Sequence, residues 1–194
     1  MHLVAALLAA GGGTRARHEG EPGHKLTVRR DGRPLHRWAL DAIVDAGIVD
    51  IADVVVVDGA VELDLPPGAR LVHNPRWVEG QSTSLRLAID AACQLGADAV
   101  VVGLADQPGI PPSAWRSVAQ ADPSWPIVVA TYDGRRGPHP VRLHRSLWEH
   151  LPTEGDEGAR ALLRQRRELV HEVPCAGSPS DIDTPEDVQR WISS

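Results

Sequence analysis

Short apolar runs alternate with amphipathic segments along this chain, and that alternation limits its possible folds more than any other feature. Residues 3–9 are entirely apolar and lead into a run of glycines, and four consecutive valines lie within residues 53–58. Such runs are typical of parallel strands that are buried on both faces. Strands that alternate with helices favour an α/β fold in which helices cover both faces of the sheet. We therefore predict a three-layer αβα sandwich with a mostly parallel central sheet.

The remaining elements follow from the same patterns. Pro34 and Gly47 delimit one helix, because proline favours a helix's first turn and glycine its end. Residues 14–33 show no apolar periodicity and are expected to form an extended loop. We expect strands at residues 3–9, 53–58, 70–73, 97–104, 127–132, 141–143 and 170–173, a turn-rich hairpin or loop at 134–139, and helices at 34–47, 82–95, 112–121, 144–151, 156–169 and 185–192. Residues 1–194 are expected to form one domain.

Composition excludes several classes of protein. A formal net charge of −6 argues against a general affinity for nucleic acid. No apolar run reaches membrane-spanning length, and no positively charged segment precedes Leu3 as in a signal peptide. We therefore expect a cytoplasmic protein with no membrane partner. Cys93 and Cys175 lack paired metal-ligand spacing, so we expect buried apolar groups rather than a disulfide or a zinc site.

The topology predicts where ligands bind. In open α/β sheets, ligands bind outside the carboxyl ends of the strands. The candidate segments for chemistry are therefore the loops after strands, at residues 11–25, 74–84, 106–108 and 182–183.

Lys25 is the single lysine of the chain, because lysine and arginine together number 20 and the other 19 are arginines. It follows the glycines at positions 11–13, whose backbone amides can approach an anion closely. Lysine acts at a phosphate as a compact point charge, and Arg15 adds a second cation. The segment matches neither a P-loop nor the dinucleotide-binding spacing. A phosphate site is our interpretation; a simple turn and a chance lysine are the alternatives.

The order of several motifs resembles a known family. The segment Leu8-Ala9-Ala10-Gly11-Gly12-Gly13-Thr14-Arg15, with Lys25 further on, resembles the opening signature of the MobA-like nucleotidyltransferases. Within them it is most similar to the molybdenum cofactor cytidylyltransferase (MocA-type) branch. Later segments resemble the family's landmarks in the same order, at residues 32–35, 74–85, 105–108, 137–141, 155–160 and 181–187.

The resemblance implies a Rossmann-like, nucleotide-diphospho-sugar transferase-like fold and a nucleotidyl transfer with Mg²⁺ as cofactor. It assigns Arg15, Lys25 and Asp106 to catalysis and Asp106 and Asp183 to the metal. The implied nucleotide-binding residues are Leu8, Ala9, Ala10, Gly11, Gly12, Gly13, Lys25, Gly80, Ser84 and Gln107. Asp156 and Arg160 are assigned to the acceptor side.

Some of these residues have structural alternatives. Asp183 either binds the metal or helps to cap the helix that Pro185 opens, although Thr184 is better placed for capping. Ser84 either binds nucleotide or caps its own helix. Asp156 also suits a helix start, where a carboxylate complements the dipole.

The resemblance further implies CTP as donor and the phosphate of molybdopterin as acceptor, with transient contact to a molybdoenzyme. A pyrimidine leaves room for the Ala10 methyl group, which favours CTP over GTP. The chain departs from the family at Arg17, where glycine is usual, and the following residues lengthen the loop before Lys25. Another phosphorylated acceptor, such as a sugar phosphate or cofactor precursor, or a non-catalytic nucleotide-binding carrier, remains the alternative; Arg29 or Arg30 is the alternative phosphate ligand.

Overall fold

A computed structural model describes residues 1–13 and 23–194 of the chain. The strands, in chain order, are β1 (Leu3–Leu8), β2 (Arg29–Arg30), β3 (Arg33–Pro34), β4 (Val54–Asp58), β5 (Arg70–His73), β6 (Ala99–Leu104), β7 (Ile127–Tyr132), β8 (Arg135–His144) and β9 (Val170–Pro174). The α-helices are α1 (Leu35–Ala46), α2 (Gln81–Gln94), α3 (Pro112–Gln120), α4 (Arg160–Gln165) and α5 (Pro185–Ile192). Short 3-10 turns lie at Lys25–Thr27, Ile51–Asp53, Trp77–Glu79, Arg145–His150 and Arg167–Leu169.

The main sheet has seven strands in the spatial order β5-β4-β1-β6-β8-β7-β9. Strand β8 is antiparallel to β6 and β7, and the other neighbouring pairs are parallel. The chain builds outward from β1 through β4 to β5, then crosses to β6 on the other side of β1. The crevice beside β1 is therefore a topological switch point, where α/β sheets bind ligands.

Two apolar cores cover the two faces of the sheet, because successive strand side chains point to opposite faces. Ala5 and Leu7 of β1 pack in one core with α1, α3 and α5. Val4 and Ala6 pack in the other core with α2, α4 and the turn at Arg145–His150. The predicted three-layer αβα sandwich is thus confirmed. No helix among the described residues is both long and apolar enough to cross a membrane.

Part of the predicted loop at 14–33 is ordered secondary structure. Strands β2 and β3 form an antiparallel hairpin around Asp31 and Gly32, whose φ angles are +52° and +78°. An Asp-Gly pair with positive φ at both positions is a favoured two-residue hairpin turn. The arginine-rich sequence around this pair concealed the hairpin from an analysis of apolar periodicity.

The predicted helix at 156–169 is shorter than expected. Its α-helical part is only α4, because Gly155 and Gly158 adopt φ angles of +85° and +51°. A 3-10 turn follows at Arg167–Leu169. The backbone at 155–158 serves a different purpose: it binds the start of α2, as described below.

Strand β8 also differs from the prediction of a turn-rich loop followed by a short strand. It is one strand of ten residues, although its pairing with β7 shifts register between Val129 and Thr131. The register shift accommodates prolines that cannot donate a ladder hydrogen bond. The prediction for Cys93 was also wrong, because this free thiol is exposed, whereas Cys175 is half-buried and free.

Candidate active site

A cavity of about 380 Å³ opens at the carboxyl ends of β1 and β6. Most residues that the sequence singled out lie on its wall: Leu8, Ala9, Ala10, Gly11, Gly12, Gly13, Lys25, Gly80, Ser84, Asp106, Asp156, Arg160 and Asp183. Folding thus brings together loops that are far apart in the chain. Arg15 lies outside the described residues.

Lys25 lies between two carboxylates. Its Nζ donates to Asp106 Oδ2 and to Asp183 Oδ1, both at 2.7 Å. The lysine side chain is 8% exposed, and those of Asp106 and Asp183 are 20% and 33% exposed. One ammonium group therefore bridges carboxylates from two separate loops at the cavity wall.

The electrostatic balance at Lys25 favours the charged amine. Burial by itself lowers the pKa of Lys25, but the charge of Asp106 and the hydrogen bonds to Asp106 and Asp183 outweigh that effect. The pKa of Lys25 therefore lies above its ordinary value. A permanently charged ammonium group is suited to the negative oxygens of a phosphate chain.

His24 connects the 3-10 turn at Lys25–Thr27 to the glycines at 11–13 by hydrogen bonds. Its Nδ1 accepts from the backbone N–H of Leu26 at 3.2 Å, so its Nε2 carries the proton donated to the carbonyl oxygen of Gly11 at 2.8 Å. Gly13 has a φ of +59°, and a Cβ there would lie 3.0 Å from both His24 Nε2 and Lys25 Cγ. Glycine at position 13 thus permits both the backbone conformation and the close approach of Lys25.

Asp183 is available to Lys25 because its neighbours cap α5. Thr184 and Asp187 form a reciprocal capping box in which the Thr184 side chain accepts from the Asp187 N–H and the Asp187 side chain accepts from the Thr184 N–H. This arrangement satisfies the helix start, and the Asp183 carboxylate turns to the cavity. The Asp183 side chain therefore does not cap α5, because Thr184 performs that role.

Asp106 follows β6 and is joined to the segment that carries Asp183. The backbone N–H of Ile182 donates to the carbonyl oxygen of Asp106 at 2.9 Å. Gln107 is fully buried, and its Nε2 donates to Asp181 Oδ1 at 2.8 Å. Gln107 does not line the cavity, and its side chain instead holds Asp181, which does. The direct nucleotide contact expected for Gln107 is therefore not what this position offers.

The charges on the described wall indicate that a divalent cation fits there. Four aspartates and two cationic side chains line it, which leaves an excess of two negative charges: Asp106, Asp156, Asp181 and Asp183 against Lys25 and Arg160. Burial raises the pKa of Asp181, and the charges of Asp106 and Asp183 raise it further. Asp106 Oδ1 is buried without a hydrogen-bond partner among the described residues. A polyanionic ligand would be repelled by this negative wall unless a cation entered the cavity with it.

The donor set suits magnesium or manganese bound together with a phosphate ligand. Within residues 1–13 and 23–194, no three His, Cys, Asp or Glu side chains form a complete metal-binding group. Mg²⁺ is commonly held by one or two carboxylates, with waters and substrate phosphates completing its coordination. Asp106 and Asp183 are the two carboxylates that share a cation here, although Lys25 supplies that cation in this structure.

Asn74 organises the loop on the other side of β1. Its Nδ2 donates to Thr83 Oγ1 at 2.9 Å and to Ser84 Oγ at 2.8 Å. Ser84 thus accepts from Asn74 on the cavity wall, and it does not cap α2, whose N-cap residue is Gly80. The capping alternative for Ser84 is wrong.

Two loops of the cavity wall are locked together by backbone hydrogen bonds. Ser82 N–H donates to Gly155 O at 2.9 Å, and Gly155 N–H donates to Glu79 O at 3.2 Å. Gly158 N–H donates to Ser82 Oγ at 3.2 Å. A Cβ at Gly80 would lie 2.5 Å from the carbonyl carbon of Gly155 and 2.7 Å from an Asp156 oxygen, so glycine is required at position 80.

The cavity also contains residues that our list of site residues omitted. Trp77, Gln81 and Asp181 all line it. Trp77 and Asp181 lie within the segments that carried the family resemblance. They are also close in sequence to Ser84 and Asp183, and this proximity could have identified them as site residues.

Comparison with known proteins gives a consistent result. The MobA-like NTP transferase domain matches residues 5–171. The chain is 31% identical over 207 aligned residues to nicotine blue oxidoreductase of Paenarthrobacter nicotinovorans, covering 98% of this chain and 96% of that protein. It is 27% identical over 211 aligned residues to the purine catabolism protein PucB of Bacillus subtilis (strain 168), covering 99% and 98%. The manganese complex of Rv0371C from Mycobacterium tuberculosis H37Rv superposes with a TM-score of 0.78 at 26% identity, covering 100% of both chains.

Proposed function

The chain belongs to the MobA-like NTP transferase family, and on that premise we propose that it transfers CMP from CTP to the phosphate of molybdopterin. The family supports nucleotidyl transfer, and the donor, acceptor and metal are our proposal. We also propose that residues 1–194 act as one catalytic domain. Asp183 lies beyond residue 171, where the family match ends, yet it shares Lys25 with Asp106.

The observation that carries this proposal is the position of Lys25. Its ammonium group lies against Asp106 and Asp183 and beside Gly13, so cationic, carboxylate and backbone-amide groups face the same cavity. Phosphoryl and nucleotidyl transfer depend on positioning and charge neutralisation, and need little covalent help from the protein. This combination of groups meets those requirements.

The reaction follows from the chemistry of the two substrates. An oxygen of the acceptor phosphate attacks the α-phosphorus of CTP and forms a new P–O bond. The bond between the α-phosphorus and the oxygen that bridges to the β-phosphorus breaks, and pyrophosphate leaves with that electron pair. The acceptor phosphate is ionised at neutral pH, so no protein base is required. Lys25 and the amides of residues 11–13 would hold the triphosphate and stabilise the departing pyrophosphate.

Mg²⁺ is the proposed cofactor, and Asp106 and Asp183 would hold it. When bound, the ion neutralises phosphate charge and orients the α-phosphate for in-line attack. Lys25 would then turn its ammonium from the carboxylates towards the phosphate oxygens. The manganese complex of a similar protein supports a divalent cation in this fold.

CTP is proposed as the donor because of the cavity's shape near Ala10. The Ala10 side chain is buried two residues after β1 and lines the same cavity as Ser84 and Gly80. Its methyl group would occupy space at the base, which would favour a pyrimidine over the larger guanine ring. Asp156, on the loop bound to the start of α2, and Arg160, the first residue of α4, are proposed to face the acceptor.

The direct test is pyrophosphate release from CTP in the presence of molybdopterin and Mg²⁺. We expect activity in the wild type and its loss in Asp106→Asn, because the variant keeps the size of the side chain but loses its charge. Asp50→Asn is a matched control, since Asp50 is exposed and its side chain caps no helix. Wild-type activity with a sugar phosphate and not with molybdopterin would replace the acceptor and retain the reaction.

A second candidate function is a nucleotide-binding carrier that delivers its ligand to a molybdoenzyme. It is favoured by the two 2.7 Å contacts of Lys25, which engage both carboxylates that a metal would need. Tight CTP binding by calorimetry, with no pyrophosphate release on any acceptor, would support the carrier and contradict the transferase.

The name of one relative suggests a different reaction class. Nicotine blue oxidoreductase is 31% identical to this chain, and an oxidoreductase would need a redox partner. The glycines at 11–13 do not have the dinucleotide-binding spacing. Oxidation of NADH or NADPH by the wild type, with nicotine blue as electron acceptor, would favour this class, and we expect none above background.

A further inference from the structure

Trp77 is an aromatic residue on the cavity wall that has no part in the mechanism above. It begins the 3-10 turn at Trp77–Glu79, and its side chain is half-buried. A half-buried indole at a cavity wall leaves an apolar ring surface in reach of a ligand.

The side chain of Trp77 has a defined position relative to the sheet. A Cβ built on Gly59 would lie 2.8 Å from the Cβ of Trp77 and 2.9 Å from the Cβ of Ala10. The absence of a side chain at Gly59 therefore lets Trp77 pack close to the end of β1. Gly59 follows β4, so Trp77 lies on the β4 side of the glycine run.

The charged groups lie on the opposite side of that run. Asp106 follows β6, and the sheet order places β1 between β4 and β6. Neighbouring strands are about 4.8 Å apart, so β4 and β6 are separated by roughly 10 Å. A molecule with a polyanionic end at Lys25 and an aromatic ring at its other end would span this interval.

We propose that Trp77 forms the aromatic wall of a base subsite, on which the pyrimidine ring of the donor nucleotide stacks. This inference rests on the proposed function, since it requires a nucleotide whose phosphates lie at Lys25. Stacking is tolerant of base identity because every base has a π face. Trp77 thus supplies affinity, and the discrimination between bases is left to Ala10 and Ser84.

The loop that carries Trp77 is organised before any ligand binds. Arg76 N–H donates to Asn74 Oδ1 at 2.9 Å, and Gly80 N–H donates to Trp77 O at 3.2 Å. The same Asn74 side chain donates to Ser84 Oγ, which leaves the Ser84 hydroxyl hydrogen to point elsewhere. Cytosine presents acceptors at O2 and N3, so Ser84 would donate to the edge of a ring whose face rests on Trp77. A prearranged wall of this kind reduces the entropy lost on binding.

The test compares CTP with inorganic tripolyphosphate, which has the phosphates but no ring, by titration calorimetry in Mg²⁺. We expect Trp77→Ala to bind CTP about tenfold more weakly and tripolyphosphate with unchanged affinity. Trp77→Phe should retain most of the CTP affinity. Trp125→Ala is the matched control, because Trp125 is also half-buried but stacks on His171 away from the cavity.

A second variant leaves the indole in the protein. Gly59→Ala adds a methyl group 2.8 Å from the Cβ of Trp77 and 2.9 Å from the Cβ of Ala10, so it should displace the indole and weaken CTP binding more than tripolyphosphate binding. It provides the same test if Trp77→Ala does not fold.

The outcomes separate this inference from the proposed function. Equal CTP affinity in wild type and Trp77→Ala would overturn the base subsite, as would an equal loss for both ligands, which would indicate a structural role. A wild type that binds neither ligand would overturn the proposed function and the subsite together. A wild type that binds CTP no more tightly than tripolyphosphate would overturn the subsite alone.

Discussion

Lys25 and Arg142 are both buried cations in the described structure, but their charges are satisfied in different ways. Lys25 contacts two carboxylates at the cavity wall. Arg142, on β8, is 1% exposed and donates to the backbone carbonyls of Ala119, Ala121, Asp122 and Trp125 at 2.6–3.4 Å. Those carbonyls belong to the end of α3, where a helix leaves its last carbonyls unpaired, and to the loop after it, where Asp122 O also accepts from the Trp125 N–H at 3.3 Å. The two sites therefore differ in the kind of acceptor that surrounds the cation.

This difference separates a structural cation from a functional one. Backbone carbonyls at a helix end are neutral acceptors in fixed positions, and the several N–H groups of one planar guanidinium can reach more than one of them. Carboxylates at a cavity can exchange an ammonium group for a metal ion, and the ammonium group can then move to a phosphate. Burial lowers the pKa of Arg142, whereas the aspartates raise that of Lys25. We infer that Arg142 stabilises the fold and that Lys25 serves the ligand.

The largest expected effect is that of Arg142→Met. It removes the donor from four carbonyl groups, so we expect the free energy of unfolding to fall by about 3 kcal/mol or more. Urea denaturation measures this change. CTP affinity, measured at a temperature where the variant is folded, should equal that of the wild type. A variant that is as stable as the wild type would contradict the structural role of Arg142.

A smaller loss of stability is expected for Lys25→Met. The variant leaves Asp106 and Asp183 without their shared cation, but both still reach water, so we expect a loss of about 2 kcal/mol. Because a divalent ion can replace the ammonium group, Mg²⁺ or Mn²⁺ should restore the melting temperature of this variant more than that of the wild type.

The control for Lys25→Met is Arg142→Met, measured with and without the divalent ion. A metal ion cannot replace the N–H donors that Arg142→Met loses. The divalent ion should therefore raise the melting temperature of Arg142→Met by no more than it raises that of the wild type. An equal rescue of both variants would contradict the distinction between the two cation sites.

His139 is a buried basic group. Burial, with a smaller contribution from the nearby charge of Arg160, lowers the pKa of His139 to about 3. Below the ordinary value of 6.5 the unfolded chain binds a proton that the folded protein excludes, so stability falls as pH falls from 6.5 towards 3. Between pH 7 and 5 the wild type should lose about 2 kcal/mol more than His139→Leu does.

Urea denaturation at the two pH values measures the His139 effect. His150→Leu is the control, because His150 is exposed and its replacement should leave the wild-type pH dependence in place. An unchanged pH dependence in His139→Leu would show that the ring is not held neutral by burial.

The smallest effect on stability is expected for Lys25→Arg. The positive charge remains beside both carboxylates, so the free energy of unfolding should change by less than about 1 kcal/mol. The larger planar guanidinium group cannot reproduce two 2.7 Å contacts from one atom, and CTP turnover should decrease. Turnover equal to that of the wild type would show that any cation at position 25 suffices.

The pattern of apolar residues predicted the strands correctly where a whole strand is buried. All five residues of β4 are buried, so its run of valines predicted a strand whose neighbours cover both faces. The loops at the carboxyl edge were likewise predictable, because parallel strands bring their ends to one edge. Lys25, Asp106 and Asp183 meet for that reason.

Features that depend on distant backbone partners could not be predicted in the same way. A helix was predicted over 156–169, but the backbone of Gly155 and Gly158 bonds to Glu79 and to Ser82 at the start of α2. The contact between Gly158 and Ser82 spans 76 positions in the chain, which places it beyond any local sequence pattern. The predicted loop at 134–139 is instead part of β8, in which residues 137–140 bulge between the pairs Val129–Val141 and Thr131–Arg136.

The site showed the same limit at the level of single residues. Gln107 was predicted to bind nucleotide, but its side-chain amide donates to Asp181 Oδ1 and the residue does not line the cavity. The sharing of Lys25 by two aspartates was likewise not evident, because the lysine was expected to contact phosphate directly.

The contact between Lys25 and Asp183 spans 158 positions. During synthesis from the ribosome, the glycine run and Lys25 emerge first, Asp106 follows, and Asp183 emerges later than all of them. A nascent chain that stops before residue 181 would carry the glycines, Lys25 and Asp106 but would lack one of the lysine's two partners. Under the proposed function, such a chain would also lack one of the two carboxylates assigned to the metal.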